Sequence, residues 1–172
     1  MKFAVCLVLA ILLSSCSRKS DAELFTDAKT LEERKDFQTA VERYEEIVDR
    51  MPTSPYAESS LVRLAMLYTN EVKDTRKAIN AYRRCYTSFP NDKQAPTMLF
   101  LTAFLYNNDL HQVDTAKILY ESFLQKYPDH ELAQSAKFEI ATLGKDPGQM
   151  LNVPVAVGEA SDTLGKKKVS KR

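Results

Sequence analysis

The sequence predicts an all-α protein: a solenoid of about three helix pairs closed by a capping helix, followed by a disordered C-terminal tail. Three observations predict it. Small and apolar residues recur at i, i+4 and i+7, the spacing of one helix face. That pattern returns three times at one fixed interval, the mark of a repeat architecture. The 172 residues also include only 4 glycines and 7 prolines among abundant Ala, Leu, Lys and Glu, a mixture that favours helices over hairpins.

Along the chain, the first element is an export signal. Met1-Lys2 is a short positive start, Phe3 to Leu13 is uncharged and apolar, and the small residues Ser14 and Ser15 precede Cys16. A charged start, a short apolar run and small residues before a cut make a secretory signal peptide, here residues 1–15. The apolar run is too short to span a bilayer core of roughly 30 Å. Leu13-Ser14-Ser15-Cys16 also resembles a lipobox, the cleavage signal of bacterial lipoproteins. The resemblance implies a diacylglyceryl group on the Cys16 sulfur, cleavage before Cys16 and a further fatty acid such as palmitate on the new N-terminus. Residues 16–20 would then be a lipidated linker. Of the 3 cysteines, Cys6 leaves with the signal and Cys16 carries lipid. Only Cys85 remains, so no intramolecular disulfide can form, and its place on a helical core stripe marks it as a small buried residue.

The repeat domain spans residues 21–143. Ala40, Ala78 and Ala116 are equally spaced, and Tyr44, Tyr82 and Tyr120 keep the same spacing, as do Pro52, Pro90 and Pro128. Ile47, Cys85 and Phe123 fill the position between. Each block reads A-x-x-x-Y-x-x-[ICF]-x-x-x-x-P. The alanine admits a close neighbour helix, the ring fills the space one turn on, and the proline ends the helix. Ala57, Ala95 and Ala133, Leu61 with Leu99, Ala65 with Ala103, and Tyr68 with Tyr106 keep the same interval after the prolines. Ser54, Asn91 or Asp92, and Asp129 are the expected N-caps of these following helices. A seventh helix, about Glu131 to Leu143, offers Leu132, Ala136, Ile140 and Leu143 and caps the stack.

This pattern resembles the tetratricopeptide repeat (TPR). The first unit matches with Leu24, Ala28, Leu31, Ala40, Tyr44, Ile47 and Pro52. The second matches with Leu61, Ala65, Tyr68, Ala78, Tyr82 and Pro90, after one extra residue in the turn within the repeat. The third matches with Leu99, Ala103, Tyr106, Ala116, Tyr120, Phe123 and Pro128. One such pair cannot bury its apolar face alone, whereas three pairs and a cap reach the minimum for a stable solenoid.

From Gly144 the periodicity stops, and residues 144–172 read as a basic, disordered tail. Net charge is +1 overall but unevenly placed. Residues 20–146 hold 16 basic and 21 acidic side chains, whereas Pro147 onward holds 5 basic and 2 acidic. The acidic body has no field for a phosphate backbone, which excludes nucleic acid as a partner. Lys166, Lys167, Lys168, Lys171 and Arg172 are open to two readings, a contact with anionic lipid or an acidic partner, or a solvated end.

No catalytic constellation is visible. His111 and His130 are the only histidines, both at helix junctions without spaced cysteines or carboxylates, so neither a metal nor another cofactor is expected. There is no Gly-rich phosphate loop and no nucleophile elbow, and a small-molecule substrate is not expected. In TPR proteins the first helix of each pair lines a concave groove. By phase, that resemblance implies Phe25, Lys29 and Glu32 in the first unit. It implies Val62, Met66, Thr69 and Asn70 in the second, and Phe100, Phe104, Asn107 and Asn108 in the third. Phe and Met give adaptable apolar contact, and Asn can pair with a ligand's backbone.

The segments MPTSPYAESSLVRLAMLY and YPDHELAQSAKFEIATLG are similar to the inter-repeat junctions of BamD-type outer-membrane assembly lipoproteins and of periplasmic TPR proteins of the Tol–Pal system. BamD-type proteins also carry a lipobox cysteine just before the first repeat, and more repeats than this chain. The resemblance implies a lipid-anchored adaptor that binds outer-membrane assembly subunits. Ser17 after the cysteine resembles the sorting signal of outer-membrane lipoproteins facing the periplasm. A structural subunit of another envelope complex, or of a homo-oligomer, is the alternative.

Overall fold

Seven α-helices and no strand make up the described residues, 18–145, of a computed structural model. The first pair is α1 (Asp21–Glu33) and α2 (Phe37–Arg50). The second is α3 (Ala57–Leu67) and α4 (Thr75–Ser88), and the third is α5 (Ala95–Asn108) and α6 (Val113–Lys126). The unpaired α7 (Ala133–Thr142) follows. The expected signal peptide, Cys16 and the tail from residue 146 onward lie outside the described residues.

Local chemistry sets the ends of these helices. Ser20 opens α1 with a reciprocal capping box: the Glu23 N–H donates to Ser20 Oγ at 3.3 Å, and the Ser20 N–H donates to Glu23 Oε2 at 2.8 Å. Asp36 and Asp74 cap α2 and α4 by accepting the Thr39 and Lys77 N–H groups at 3.3 and 3.0 Å. The turn inside each pair is closed by one residue in the left-handed region: Lys35 at φ 61°, Lys73 at 61° and His111 at 52°. They too follow the repeat spacing, at the helix-end position where glycine is usual.

The extra residue expected in the second unit's turn is present in the third unit as well, where the Gln112 N–H reaches back to the Tyr106 carbonyl at 2.8 Å; in the second unit it widens the end of the helix. Tyr68–Val72 widens into a π-helical segment, and the Asp74 N–H reaches back to the Tyr68 carbonyl at 2.9 Å. The junction caps also differ in detail from expectation. Ser54 and Asp92 accept the N–H groups of Tyr56 and Gln94, capping a turn that precedes the helix proper. At the third junction His130, not Asp129, takes this role, its Nδ1 accepting the Leu132 N–H at 3.2 Å. The repeat spacing explains the correction, since it places a ring nitrogen lone pair where Ser54 and Asp92 place oxygen.

Each helix packs chiefly on its sequence neighbours, as in a solenoid. Ala40, Ala78 and Ala116 are fully buried, and Tyr44, Tyr82 and Tyr120 are buried one turn on. Each ring removed from water contributes on the order of 1.5–3 kcal/mol. The core forms two clusters. One joins the first two pairs to the near side of α5, and includes Leu24, Tyr44, Ile47, Leu61, Tyr82 and Cys85 with Met98 and Leu105 of α5. The other joins α5, α6 and α7 through Leu99, Phe100, Tyr120, Phe123 and Ala136. Tyr86, Leu101 and Tyr106 touch both. Neighbouring repeats are also tied by polar contacts. Tyr44 OH donates to Glu32 Oε1 at 2.6 Å, and Arg63 Nε from the next repeat donates to the same oxygen at 3.1 Å.

Two carboxylates are held against their ordinary titration. Burial raises the Glu139 pKa, against a lowering by the adjacent Tyr120 hydroxyl, and burial followed by the Asp92 carboxyl raises that of Glu58. A raised folded-state pKa means the folded state holds the proton more tightly. Its stabilising contribution is complete below the unfolded value of about 4.3 and is lost as pH rises through the folded value. Glu58→Gln and Glu139→Gln are therefore each expected to raise the melting temperature at pH 7 by a few degrees, with the gap to wild type closing near pH 4. Melts that show the same gap at both pH values would refute this assignment.

Candidate protein-binding face

The repeat positions the predicted face through the first helix of each pair, and its residues separate into three groups. Met66 and Phe104 occupy the same repeat position and are 43% and 38% exposed. Asn70 and Asn108, each one turn further on, are also exposed and also repeat-equivalent. Asn70 sits on the π-helical segment, and Asn108 Nδ2 donates to the Phe104 carbonyl at 3.0 Å. Lys29 is exposed on α1, beyond the apolar pair.

Asn107 and Val62 are half-buried, while Thr69 bonds back to the Ala65 carbonyl. Phe25 is half-buried and packs on the rings of Tyr44 and Tyr56, with centroids 5.6 and 4.9 Å apart. Glu32 is held by Tyr44 and Arg63.

Phe100 departs from expectation. It is 8% exposed and lies edge-on to Tyr120 and Phe123, at 5.3 and 5.9 Å between centroids. It is core, because it faces α6 rather than solvent. The exposed strip therefore comprises Met66, Asn70, Phe104 and Asn108, with Lys29 at the end nearest the N-terminus.

Two exposed apolar residues were not singled out from the sequence. Ile118 is 65% exposed on α6, and Phe138 is 43% exposed on α7. Ile118 had a readable signal, since its repeat column otherwise holds Glu42 and Asn80.

The remaining chemistry is quiet. Burial pushes the Cys85 thiol up to about 12, so it stays protonated. His111 is exposed in its turn, and His130 lies edge-on to Phe123. A cavity of about 220 Å³ between α2, α3 and α4 is walled by charges that already pair. Arg84 meets Asp49 at 2.9 Å, Lys77 meets Glu45 at 3.7 Å, and the Tyr68 hydroxyl donates to Glu45. Among the described residues no group of three or more His, Cys, Asp and Glu side chains converges as a metal site. No helix there is long and apolar enough to cross a membrane.

Sequential packing, buried Ala and Tyr rows and a left-handed residue in each intra-pair turn define a TPR-like helical-repeat protein. A model of the YfiO family, described as outer membrane lipoprotein, matches residues 17–146, and the chain belongs to that family. The match begins directly after Cys16 and takes in all seven helices. No curated protein matches the chain.

Proposed function

We propose that this chain is a lipid-anchored, non-enzymatic adaptor that holds a segment of another envelope protein on the strip formed by Met66, Asn70, Phe104 and Asn108. The observation that carries this reading is the recurrence itself. Large apolar residues are exposed at only four places among the described residues, and two of them are repeat-equivalent and followed one turn on by asparagine. An apolar anchor beside an exposed amide with hydrogen-bonding capacity to spare suits a peptide that buries a side chain while its backbone pairs with the amide.

Cleavage after residue 15 would leave Cys16 acylated, palmitate included, with residues 16–20 as the tether. Five residues reach at most about 17 Å, which keeps the first repeat close to the bilayer. Confinement there raises the effective concentration for membrane partners. Family membership and the junction segments support a periplasm-facing outer-membrane site and a role in β-barrel protein assembly. The tail, 144–172, would extend beyond the repeat domain.

Met66→Ala with Phe104→Ala is expected to weaken partner recovery from crosslinked membranes about tenfold or more. Helicity and melting temperature should stay within a few degrees of wild type, because both side chains are exposed. Unchanged recovery would sink the strip as the binding face. A second reading, a structural subunit packing by its C-terminal end, is favoured by the exposure of Ile118 and Phe138.

A further inference from the structure

Two successive interfaces of the solenoid carry opposite charge at one repeat position. Between the first two pairs, Glu45 of α2 accepts a hydrogen bond from the Tyr68 hydroxyl and pairs with Lys77 Nζ at 3.7 Å. Displaced by one repeat, Glu45 becomes Arg83, Tyr68 becomes Tyr106 and Lys77 becomes Thr115. The tyrosine is kept, and its carboxylate acceptor is exchanged for a cation. Arg83 and Tyr106 line one cavity of about 210 Å³ where α4 meets the end of α5, together with Arg76, Asn80 and Gln112. All five offer N–H or O–H groups, and the two guanidiniums can only donate. Among the described residues neither arginine pairs with a carboxylate. Asp109, at the end of α5, accepts from Thr75 Oγ1 at 2.9 Å instead. Buried Ile79 and half-buried Leu110 add apolar surface to the same lining.

This arrangement belongs to the second repeat alone. Arg76, Asn80 and Arg83 follow one face of α4 at i, i+4 and i+7. The first repeat holds Gln38, Glu42 and Glu45 in those columns, and the third holds Asp114, Ile118 and Glu121. We infer that the cavity is a carboxylate-binding site that takes a glutamate side chain from an acidic segment of a partner protein. The preceding interface specifies that group, because there a glutamate carboxylate sits against the equivalent tyrosine. Planar guanidinium forks match a carboxylate with two parallel hydrogen bonds. The Tyr106 hydroxyl would supply a further donor, as Tyr68 does to Glu45. The apolar lining suits the methylene stem of a glutamate, which a free phosphate lacks. The site shares no residue with the Met66 and Phe104 strip and does not depend on it.

The test is a titration of the full chain, at constant ionic strength, followed by the arginine side-chain N–H signals in NMR. Three probes are compared: N-acetylglutamate amide, its neutral glutamine counterpart and inorganic phosphate. The signals of Arg76 and Arg83 are expected to shift saturably with the glutamate probe and not with the glutamine one. The signal of Arg34, exposed in the turn after α1, should stay in place. Phosphate should bind severalfold more weakly than the glutamate probe. Arg83→Glu, which writes the first repeat's carboxylate into the second, should weaken binding of the glutamate probe at least tenfold without lowering the melting temperature. Tyr106→Phe should weaken it severalfold. Shifts that do not saturate, or that are as large at Arg34, would reduce the cavity to a solvated basic surface and overturn the proposal. Phosphate binding as tight as the glutamate probe, or unchanged affinity in Arg83→Glu, would overturn it too.

Discussion

Phe123→Ala is expected to melt the C-terminal half of the molecule while the first two helix pairs stay folded. Phe123 is fully buried and central to the second core cluster, with ring contacts to Phe100, Tyr127 and His130. Truncating such a ring costs about 3–5 kcal/mol in lost transfer energy and residual cavity. Whole small domains are stable by only about 5–15 kcal/mol. In a solenoid the loss is felt mainly by the repeat that carries it and by the interfaces it shares. The first cluster, centred on Tyr44, Ile47 and Tyr82, contains no residue of α6 or α7. Hydrogen exchange should therefore show rapid exchange in α5, α6 and α7 and continued protection in α1, α2 and α3. Circular dichroism should lose part of its helical signal at a temperature where wild type is intact. Uniform loss of protection along the chain would mean that α5, with Met98 and Leu105 in one cluster and Leu99 and Phe100 in the other, couples the two into one cooperative unit.

Cys16→Ala is expected to release the protein from membranes while leaving its fold unchanged. Burying acyl chains contributes about 0.8 kcal/mol per methylene, and stable anchoring needs two or more signals. Without lipid, no helix among the described residues can substitute as a membrane span. The first core residue, Leu24, lies beyond the linker, and the Ser20 capping box starts α1 without help from residue 16. Fractionation should move the variant to the soluble fraction with an unaltered melting curve. Retention in the membrane pellet after a high-salt wash would refute lipid anchoring.

The sequence was most legible where a helix is strongly two-sided. In α2 and α4 the Ala, Tyr and Ile or Cys positions stand among charged residues, so their shared face could be read directly, and all are buried. In α5, APTMLFLTAFLYNN is apolar nearly all round, and spacing alone cannot say which side meets α6. Phe100 and Phe104 are one turn apart, yet one is core and the other is exposed. The extra residue of the second and third units could be counted but not placed, because a turn accommodates it in one and a π-helical widening in the other. His130 was hidden for a different reason: its capping role appears only when its column is aligned with Ser54 and Asp92. The residues of the strip were legible through the repeat, since Met66 with Phe104 and Asn70 with Asn108 share columns.

The most direct test of the central claim is photocrosslinking from the strip in intact membranes. A photoreactive side chain at Phe104 in the lipidated protein, with a control at Asn80 on α4, reports what lies against each face. The adaptor account predicts a discrete adduct from position 104 that contains an outer-membrane assembly subunit, vanishes with Met66→Ala and is absent from position 80. Equal adducts from both positions, or none from 104 while position 138 crosslinks, would contradict it and assign the partner to the C-terminal end.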